Sequence, residues 1–588
     1  MTDSVPPSPR TPAVAAQSPL QNAISRWVRG HGGSALLAGF AARAVAAEAQ
    51  GDSAVSLSLS AQQRDTLRGD SLLCDLRLDE HADRTDTPFV LDHADRFYLR
   101  RNYRHELRIA DAWQARLRTH SAPASEACAA DLDALFGVDS ASPARPDHAQ
   151  RVAAGRVLSQ PAFVLTGGPG TGKTRTVLRM LLMCLRQAGG PLRIRLAAPT
   201  GKAAQRLRQS LQDGLPPLRD LDAGWHAALD ALRDLQAETV HRLLAWSPRE
   251  RRFRHDARRP LPVDLVVVDE ASMLDLAQWR ALLEAVPLSA RLILLGDADQ
   301  LTSVGAGSVF SDLVEVLEHQ RDPRCIRLQH SFRAEGGLSA LNGAVQSGDW
   351  TTTSQALRAD PAHIDWQAVQ RVNDVLPAVR RSAERLAADP ALHAAAGPTD
   401  QPSQVARAAL RALGQQQWLC ALREGQWGSA AINVHIEAVL RQAWRVAETG
   451  EWFGGRAVIV QQNDYELGLF NGDVGICVSE ADGRLGVWFA GTDEDAPRRF
   501  AALDLPHCES AFAISIHKSQ GSEYPQVHVL LPPDPEHRIL SRQLLYTALS
   551  RARQSVHLYA SEAALRAALE RRVSREGGLR ERLQVVES

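Results

Sequence analysis

The stretch "FVLTGGPGTGKTRTVLRMLL", Phe163 to Leu182, decides the fold. A short apolar strand, Phe163 to Leu165, runs into Gly167, four residues, Gly172, Lys173 and Thr174, and then into a helix-forming run. Strand, glycine loop and helix in that order make a phosphate cradle. The glycines let successive backbone N–H groups wrap an oxyanion that also sits at a helix N-terminus. Gly167, Gly168, Pro169, Gly170, Thr171, Gly172, Lys173, Thr174 and Arg175 are therefore expected to hold ATP. Lys173 should reach the β- and γ-phosphates, and the Thr174 hydroxyl should ligate Mg²⁺.

Outward from the loop, the chain alternates short apolar strands, polar turns and helices from Gln150 onward, the pattern of a parallel α/β sheet. In "PVDLVVVDEASMLD" the continuous apolar run Leu265 to Val268 reads as a strand buried on both faces. It delivers Asp269 and Glu270 at its C-terminal end, where open α/β sheets bind ligands. Asp269 is expected to share the Mg²⁺ shell with Thr174, and Glu270 to polarise an attacking water. A further strand, Arg291 to Leu295, brings Asp297 and Gln300 beside the same site. "CIRLQHSFR" delivers Arg333 and "LLYTALSRARQ" delivers Arg551, two arginines suited to a second domain that closes over the nucleotide.

Composition bounds the rest. At 588 residues the chain should hold roughly three or four domains. Its formal net charge of −1 means that any nucleic acid must be gripped by local arginine clusters and not by a global basic field. Seven cysteines without a CxxC pair suggest neither a disulfide framework nor a zinc or iron–sulfur site, and fit a reducing cytoplasm. No signal or membrane span is read, and Ala35 to Ala47 reads as a buried helix. Basic positions are nearly all arginine, and the only lysines are Lys173, Lys202 and Lys518. An ammonium on a flexible stem is not replaced by a planar fork without loss. The loops "GGPGTGKT", "APTGKAAQRL" and "HKSQGSEY" that carry these lysines are therefore candidates for function.

Gln150 and the motifs "GGPGTGKT", "APTGKAAQRL", "ETVHRLLAW", "VVVDEASM", "LLGDADQLTSVGAG", "QHSFR", "HKSQGSEY" and "YTALSRAR" resemble, in order, the motif set of superfamily 1 helicases. Within that group, "RLAAPTGKAAQRL", "DEASMLD" and "YELGLFNGDVGI" look like the RecD family, the α subunits of exodeoxyribonuclease V. The segment "DRFYLRRNYRHELRIA", Asp95 to Ala110, which reads as an alternating pattern, is similar to what precedes the motor there. The resemblance implies that Gln150 and Glu523 also contact the nucleotide, Glu523 at the ribose, and that the backbone near Ser519 to Gly521 meets the phosphates. It puts His517 and Lys518 nearer the DNA or the interdomain cleft. It further implies 5′ to 3′ movement on DNA and assembly with RecB-like and RecC-like subunits.

Pro199, Thr200, Gly201 and Lys202, with Thr239 and His241, offer the hydroxyls and amides that suit sequence-independent binding of a single strand. Trp246 reads as a buried aromatic before a stacking ring, and the arginine-rich run "PRERRFRHDARRP" as a solvated loop. Residues two before the lysines are Thr171, Thr200 and Ile516, which argues against a PD-(D/E)xK nuclease. The absence of an HxH pair argues against a relaxase fused to a similar motor.

The expected fold is α/β, with two RecA-like P-loop domains, a small SH3-like β insertion and a mainly helical N-terminal domain. The expected boundaries are a disordered leader at 1–20, a partner-docking domain at 21–118 and a linker at 119–145. Motor domain 1 follows at 146–318 and motor domain 2 at 319–588, the latter interrupted near 477–508 by the β insertion. Two other readings stay open on sequence alone: a nucleotide-gated structural subunit, and a superfamily 1 motor directed to RNA, since ATP motifs do not sense a 2′-OH.

Overall fold

A computed structural model of the chain describes residues 18–76, 86–118, 129–332, 336–446, 450–464, 466–491, 497–505 and 507–584. The chain divides into two compact units. The smaller takes residues up to Ala110 with two distant pieces, Val304–Gly307 and Arg575–Arg582, and the larger takes the rest.

In the smaller unit, helix Pro19–Gly30 starts where Ser18 and Gln21 close a reciprocal capping box, which satisfies two end N–H groups. Helix Ala35–Ala49 buries Leu37, Ala38, Phe40 and Ala41, as its apolar composition requires. It packs with Phe89, Leu91 and Phe97. These aromatics come from a sheet ordered Ala54–Ser56, Arg96–Leu99, Phe89–Leu91, Leu73–Asp75, so this domain carries a four-stranded sheet beside its helices. The run Asp95 to Ala110 is strand only over Arg96–Leu99, and it continues as the helix Arg100–Arg118. Burial of Tyr103, Glu106 and Ala110 at spacings of three and four shows why: the period is helical, and the apparent alternation ends at Leu99.

The piece Arg575–Arg582 completes this unit. The carboxylate of Glu106 accepts from Ser53 Oγ, from the Gly578 N–H at 3.1 Å and from Arg582 Nε at 3.3 Å. Burial pushes the Glu106 carboxyl up, and Arg582 offsets part of that. Glycine at 578 leaves room for Arg96 and Tyr98: a Cβ there would lie 2.4 Å from Arg96 Nη1 and 2.6 Å from the Tyr98 hydroxyl, and those side chains would have to move. Arg575 Nη1 donates to Gly305 O at 2.5 Å and Gly307 O at 2.7 Å, and the Gly307 N–H reaches Gly51 O at 2.8 Å.

The larger unit contains two parallel sheets. The first runs in the order Cys325–Leu328, Ala162–Gly167, Arg291–Gly296, Leu265–Val268, Ile194–Ala198, Ala237–Thr239. Its inner strands are buried on both faces, which is why they read as continuous apolar runs. The order puts the C-terminal ends of the P-loop, Asp297 and Asp269 strands side by side. The second sheet runs Ile364–Gln367, Ala552–Tyr559, Tyr524–Leu530, Gln416–Cys420, Ala513–Ser515, again parallel. A five-stranded antiparallel sheet, Arg498–Ala501, Leu485–Phe489, Val474–Ser479, Ala457–Val460, Cys508–Ser510, is inserted ahead of the last strand of that order.

Three expected boundaries are corrected. Strand Cys325–Leu328 pairs with the P-loop strand, so the first motor domain extends beyond 318. The β insertion begins at Ala457, not 477, because "AVIV" is buried on both faces and so lacks the alternation of its neighbours. The C-terminal segment Arg575–Arg582 belongs to the N-terminal unit and not to motor domain 2. Most of the expected leader, residues 1–17, lies outside the described residues, while Pro19 and Leu20 already belong to a helix. Of the expected linker, 119–128 lies outside them, and the short helix Ala129–Phe136 is present. Among the described residues no helix is long and apolar enough to cross a membrane.

Candidate active site

A cleft of about 630 Å³ lies in the larger unit. Motor domain 1 lines it with residues 168–175, Arg206, Asp269, Glu270 and Gln300, and motor domain 2 with Gly521, Glu523 and Arg551. Local sequence builds the cradle. Strand Ala162–Gly167 ends in the glycine loop, and helix Lys173–Ala188 begins directly at Lys173, so its unpaired N–H groups face the loop. The Lys173 ammonium folds over the loop and donates to Gly167 O at 2.6 Å and Gly168 O at 3.2 Å. Thr171 Oγ1 donates to Gly168 O at 2.8 Å, and the Phe332 N–H donates to Gly170 O at 2.9 Å. Gln150 is buried and its Nε2 donates to Thr171 O at 2.9 Å, so its amide braces the loop.

Asp269 is held at the end of its strand with one oxygen 2.8 Å from the Glu270 N–H. Burial, then the Glu270 carboxylate, push its carboxyl up to about 6, against the pull of Lys173. Glu270 itself adopts a left-handed backbone, φ 51°, which is uncommon for a side-chain-bearing residue and typical of functional turns.

Asp297, Gln300 and Arg551 form a buried network across the two motor domains. Gln300 Nε2 donates to Asp297 Oδ2 at 2.9 Å, and the Tyr546 hydroxyl donates to the same oxygen at 3.0 Å. Arg551 Nη2 donates to Gln300 Oε1 at 2.6 Å, while its other nitrogens reach Ser522 O and Thr547 O. At 1% exposure Arg551 is no ordinary surface arginine. Thr547 Oγ1 accepts from the Leu301 N–H, and Gln520 Nε2 donates to Leu301 O.

Glu523 departs from the simple expectation. Both of its carboxylate oxygens are already paired, one with Arg206 Nη2 and the other with Arg553 Nε at 2.9 Å. Burial alone would lower the Arg206 pKa, but Glu523, then Glu270 and Asp269, overcome that and raise it. Arg206, Phe332 and Tyr546 went unrecognised in the sequence: an arginine among many and two aromatics at ordinary spacings carry no signal of their own. Arg333 lies outside the described residues.

Gly201, Lys202 and Thr239 line a second cleft of about 710 Å³, together with Arg242, Phe470 and Tyr524. Lys202 Nζ stands 5.8 Å from the Tyr524 ring. Thr200 and Thr239 cap helices with their hydroxyls, which accept from Ala203 and Arg242 N–H groups, so both act first as structural caps. Pro199 is half-buried at the end of the preceding strand. His241 packs against Trp246 and Phe253, whose rings are 4.9 Å apart, and burial lowers its pKa. Trp246–Ser247 pairs with Arg252–Phe253 in a small hairpin that takes in only the first part of the arginine-rich run; Arg254, Arg258 and Arg259 follow it, and all six arginines of the run are exposed, as a solvated segment requires. His517 and Lys518 lie in a short 3₁₀ turn, with Lys518 Nζ donating to Glu509 Oε2 at 3.3 Å and to Gln461 Oε1.

Two α/β domains that share one phosphate cradle, paired acids at a strand end and a buried arginine crossing to Gln300 define a helicase-type P-loop ATPase of superfamily 1. Family models agree: an AAA domain matches residues 150–306 and a UvrD-like helicase C-terminal domain matches 510–559. The RecBCD enzyme subunit RecD of Mycolicibacterium smegmatis is 41% identical over 465 residues, covering 77% of both chains. That of Haemophilus influenzae is 31% identical over 73% of this chain and 71% of its own. The chain belongs to the RecD family. The ATP-dependent RecD2 DNA helicase of Deinococcus radiodurans is also similar, 32% identical over 72% of this chain and 50% of its own. Among solved structures, the Pif1 helicase from Candida albicans covers 71% of this chain and 96% of its own at 16% identity and a TM-score of 0.36.

Proposed function

We propose that the chain is an ATP-driven DNA translocase that moves 5′ to 3′ along one strand, as the RecD-like subunit of a RecBCD-type helicase–nuclease acting in cytoplasmic double-strand-break repair. RecB-like and RecC-like subunits and DNA are its partners, and the N-terminal unit is the surface offered to the RecC-like one. The observation that carries the reading is the buried Arg551–Gln300 contact, which ties the second motor domain to the wall of the nucleotide cleft. A cleft closed by such a contact opens and shuts as phosphate charge arrives and leaves.

Within the cleft, Lys173 and the loop N–H groups bind the β- and γ-phosphates of ATP, and Glu270 orients and polarises the attacking water. Arg551, joined by Arg333, neutralises charge as the γ-phosphoryl departs, and Gln300 reports its presence. Thr174 and Asp269 would hold Mg²⁺. A hydroxyl and a buried carboxylate are hard oxygen donors of the kind that ion takes, and the upward-shifted Asp269 carboxyl is a site that gains from a cation. Bound there, the ion supplies neutralisation of phosphate charge. Pro199, Thr200, Gly201, Lys202, Thr239 and His241 belong to the DNA grip of motor domain 1, with His517 and Lys518 linking that grip to the cleft.

The test is unwinding of a duplex with a single-stranded 5′ tail against one with a 3′ tail, in DNA and in RNA, with the partner subunits present. Preferential unwinding of the 5′-tailed DNA is expected. Equal action on RNA, or preference for the 3′ tail, would overturn the reading.

A further inference from the structure

Arg206 stands on helix Gly201–Gly214, about one turn beyond the "APTGK" loop, and lines the nucleotide cleft from motor domain 1. Its guanidinium crosses to motor domain 2. Nη1 donates to Gly521 O at 3.2 Å, and Nη2 donates to Glu523 Oε1. Gly521 sits at φ +70°, so its carbonyl points where only a left-handed turn can aim it, and Glu523 is 5% exposed at its side chain. Other contacts between the two motor domains run through Gln300, Leu301 and Asp297. Arg206 and Arg551 thus hold the same turn, Arg206 at Gly521 and Glu523 and Arg551 at Ser522 O.

We infer that Arg206 is a positioning residue for ATP: it holds Gly521 and Glu523 in register over the cradle and offsets the acids that crowd it. A fork is needed for this, because one group must bond a carbonyl and a carboxylate at once. Without it Glu523 loses one of its guanidinium partners, and a triphosphate enters a cleft holding Asp269, Glu270 and Glu523 with one cation fewer. Arg206 contacts the residues that hold the nucleotide and not the reacting atoms, so its loss should weaken binding more than turnover.

The inference rests on the reading of this cleft as the ATP site. It is tested by steady-state ATP hydrolysis with Mg²⁺ and single-stranded DNA on the full chain and on Arg206→Ala, Arg206→Lys, Glu523→Gln and the double variant Arg206→Ala/Glu523→Gln. Arg206→Ala should raise the KM for ATP about tenfold or more, the scale of a charge-assisted hydrogen bond lost, with a smaller fall in kcat. Arg206→Lys should recover only part of that. The double variant should be no worse than the worse single, because the two residues act through each other. An unchanged KM in Arg206→Ala, or losses that simply multiply, overturns the inference. If the alanine variant melts early, Arg206→Lys against Glu523→Gln carries the same cycle. Failure of the unaltered chain to hydrolyse ATP, or a Lys173→Gln control without effect, would instead strike the reading of the cleft.

Discussion

Arg551 donates through Nη2 to Gln300 Oε1 at 2.6 Å, and both side chains are buried. The bond joins helix Arg542–Leu549 and its following turn, in motor domain 2, to the loop after strand Arg291–Gly296 in motor domain 1. A displacement of Gln300 cannot occur without repacking Arg551, which makes this bond the mechanical link of the proposed translocation.

Replacing Arg551 by alanine should lower DNA-stimulated kcat by about a thousandfold or more, the range of an arginine supplied to a phosphoryl-transfer site. Arg551→Lys should recover little, since one ammonium cannot serve Gln300, Ser522 O and Thr547 O together. Near-normal turnover in either variant would contradict the assignment.

Lys518 joins the "HKSQGSEY" turn to the β insertion through Glu509 and Gln461. Burial lowers its pKa and Glu509 counters that. A planar guanidinium on a longer stem cannot replace a compact ammonium between those two acceptors without shifting them, so Lys518→Arg should keep basal ATP hydrolysis and lose most of its stimulation by single-stranded DNA. Full stimulation in that variant would show that the lysine has no coupling role.

The N-terminal unit depends on the far end of the chain. Arg582→Ala leaves the Glu106 carboxylate buried with one cation fewer, a change that should cost about 3 kcal/mol in the stability of this unit. Urea unfolding followed by cleavage within residues 18–76 is the readout. An unchanged midpoint would remove the C-terminal piece from the account of that domain.

His528 stacks between Trp418 and His557, at 4.6 Å from each ring, with Arg385 also near. Burial, then the neighbouring His557, hold its pKa well below the usual 6.5, so the unfolded chain takes up a proton that the folded chain refuses. Its contribution is complete above that pH and is lost as pH falls below it, by about 1.4 kcal/mol per unit. His528→Phe should keep the stack and flatten the acid side of the stability profile. A profile of unchanged slope would show that His528 does not set it.

The parts legible in the sequence are those whose physics is local. The glycine loop before Lys173, the four buried residues before Asp269 and the strand before Asp297 each declare themselves within a few residues, and the sheet order then brings their ends together. What could not be read depends on partners far along the chain. Glu106 looks like any helix glutamate until Gly578 and Arg582 return to it. Arg206 gives no sign of meeting Glu523, 317 positions away. The strand Ala457–Val460 was hidden for the opposite reason, since burial on both faces erases the alternation that marked its neighbours. The DNA side is least legible: Thr200 and Thr239 serve as helix caps whether or not a strand of DNA lies over them.

The most direct test of the central claim is the rate of ATP hydrolysis by the purified chain with and without single-stranded DNA, beside Lys173→Gln. Strong stimulation by DNA that the variant loses is the predicted result. A folded chain whose hydrolysis is indifferent to DNA, alone and with its partner subunits added, would contradict the account.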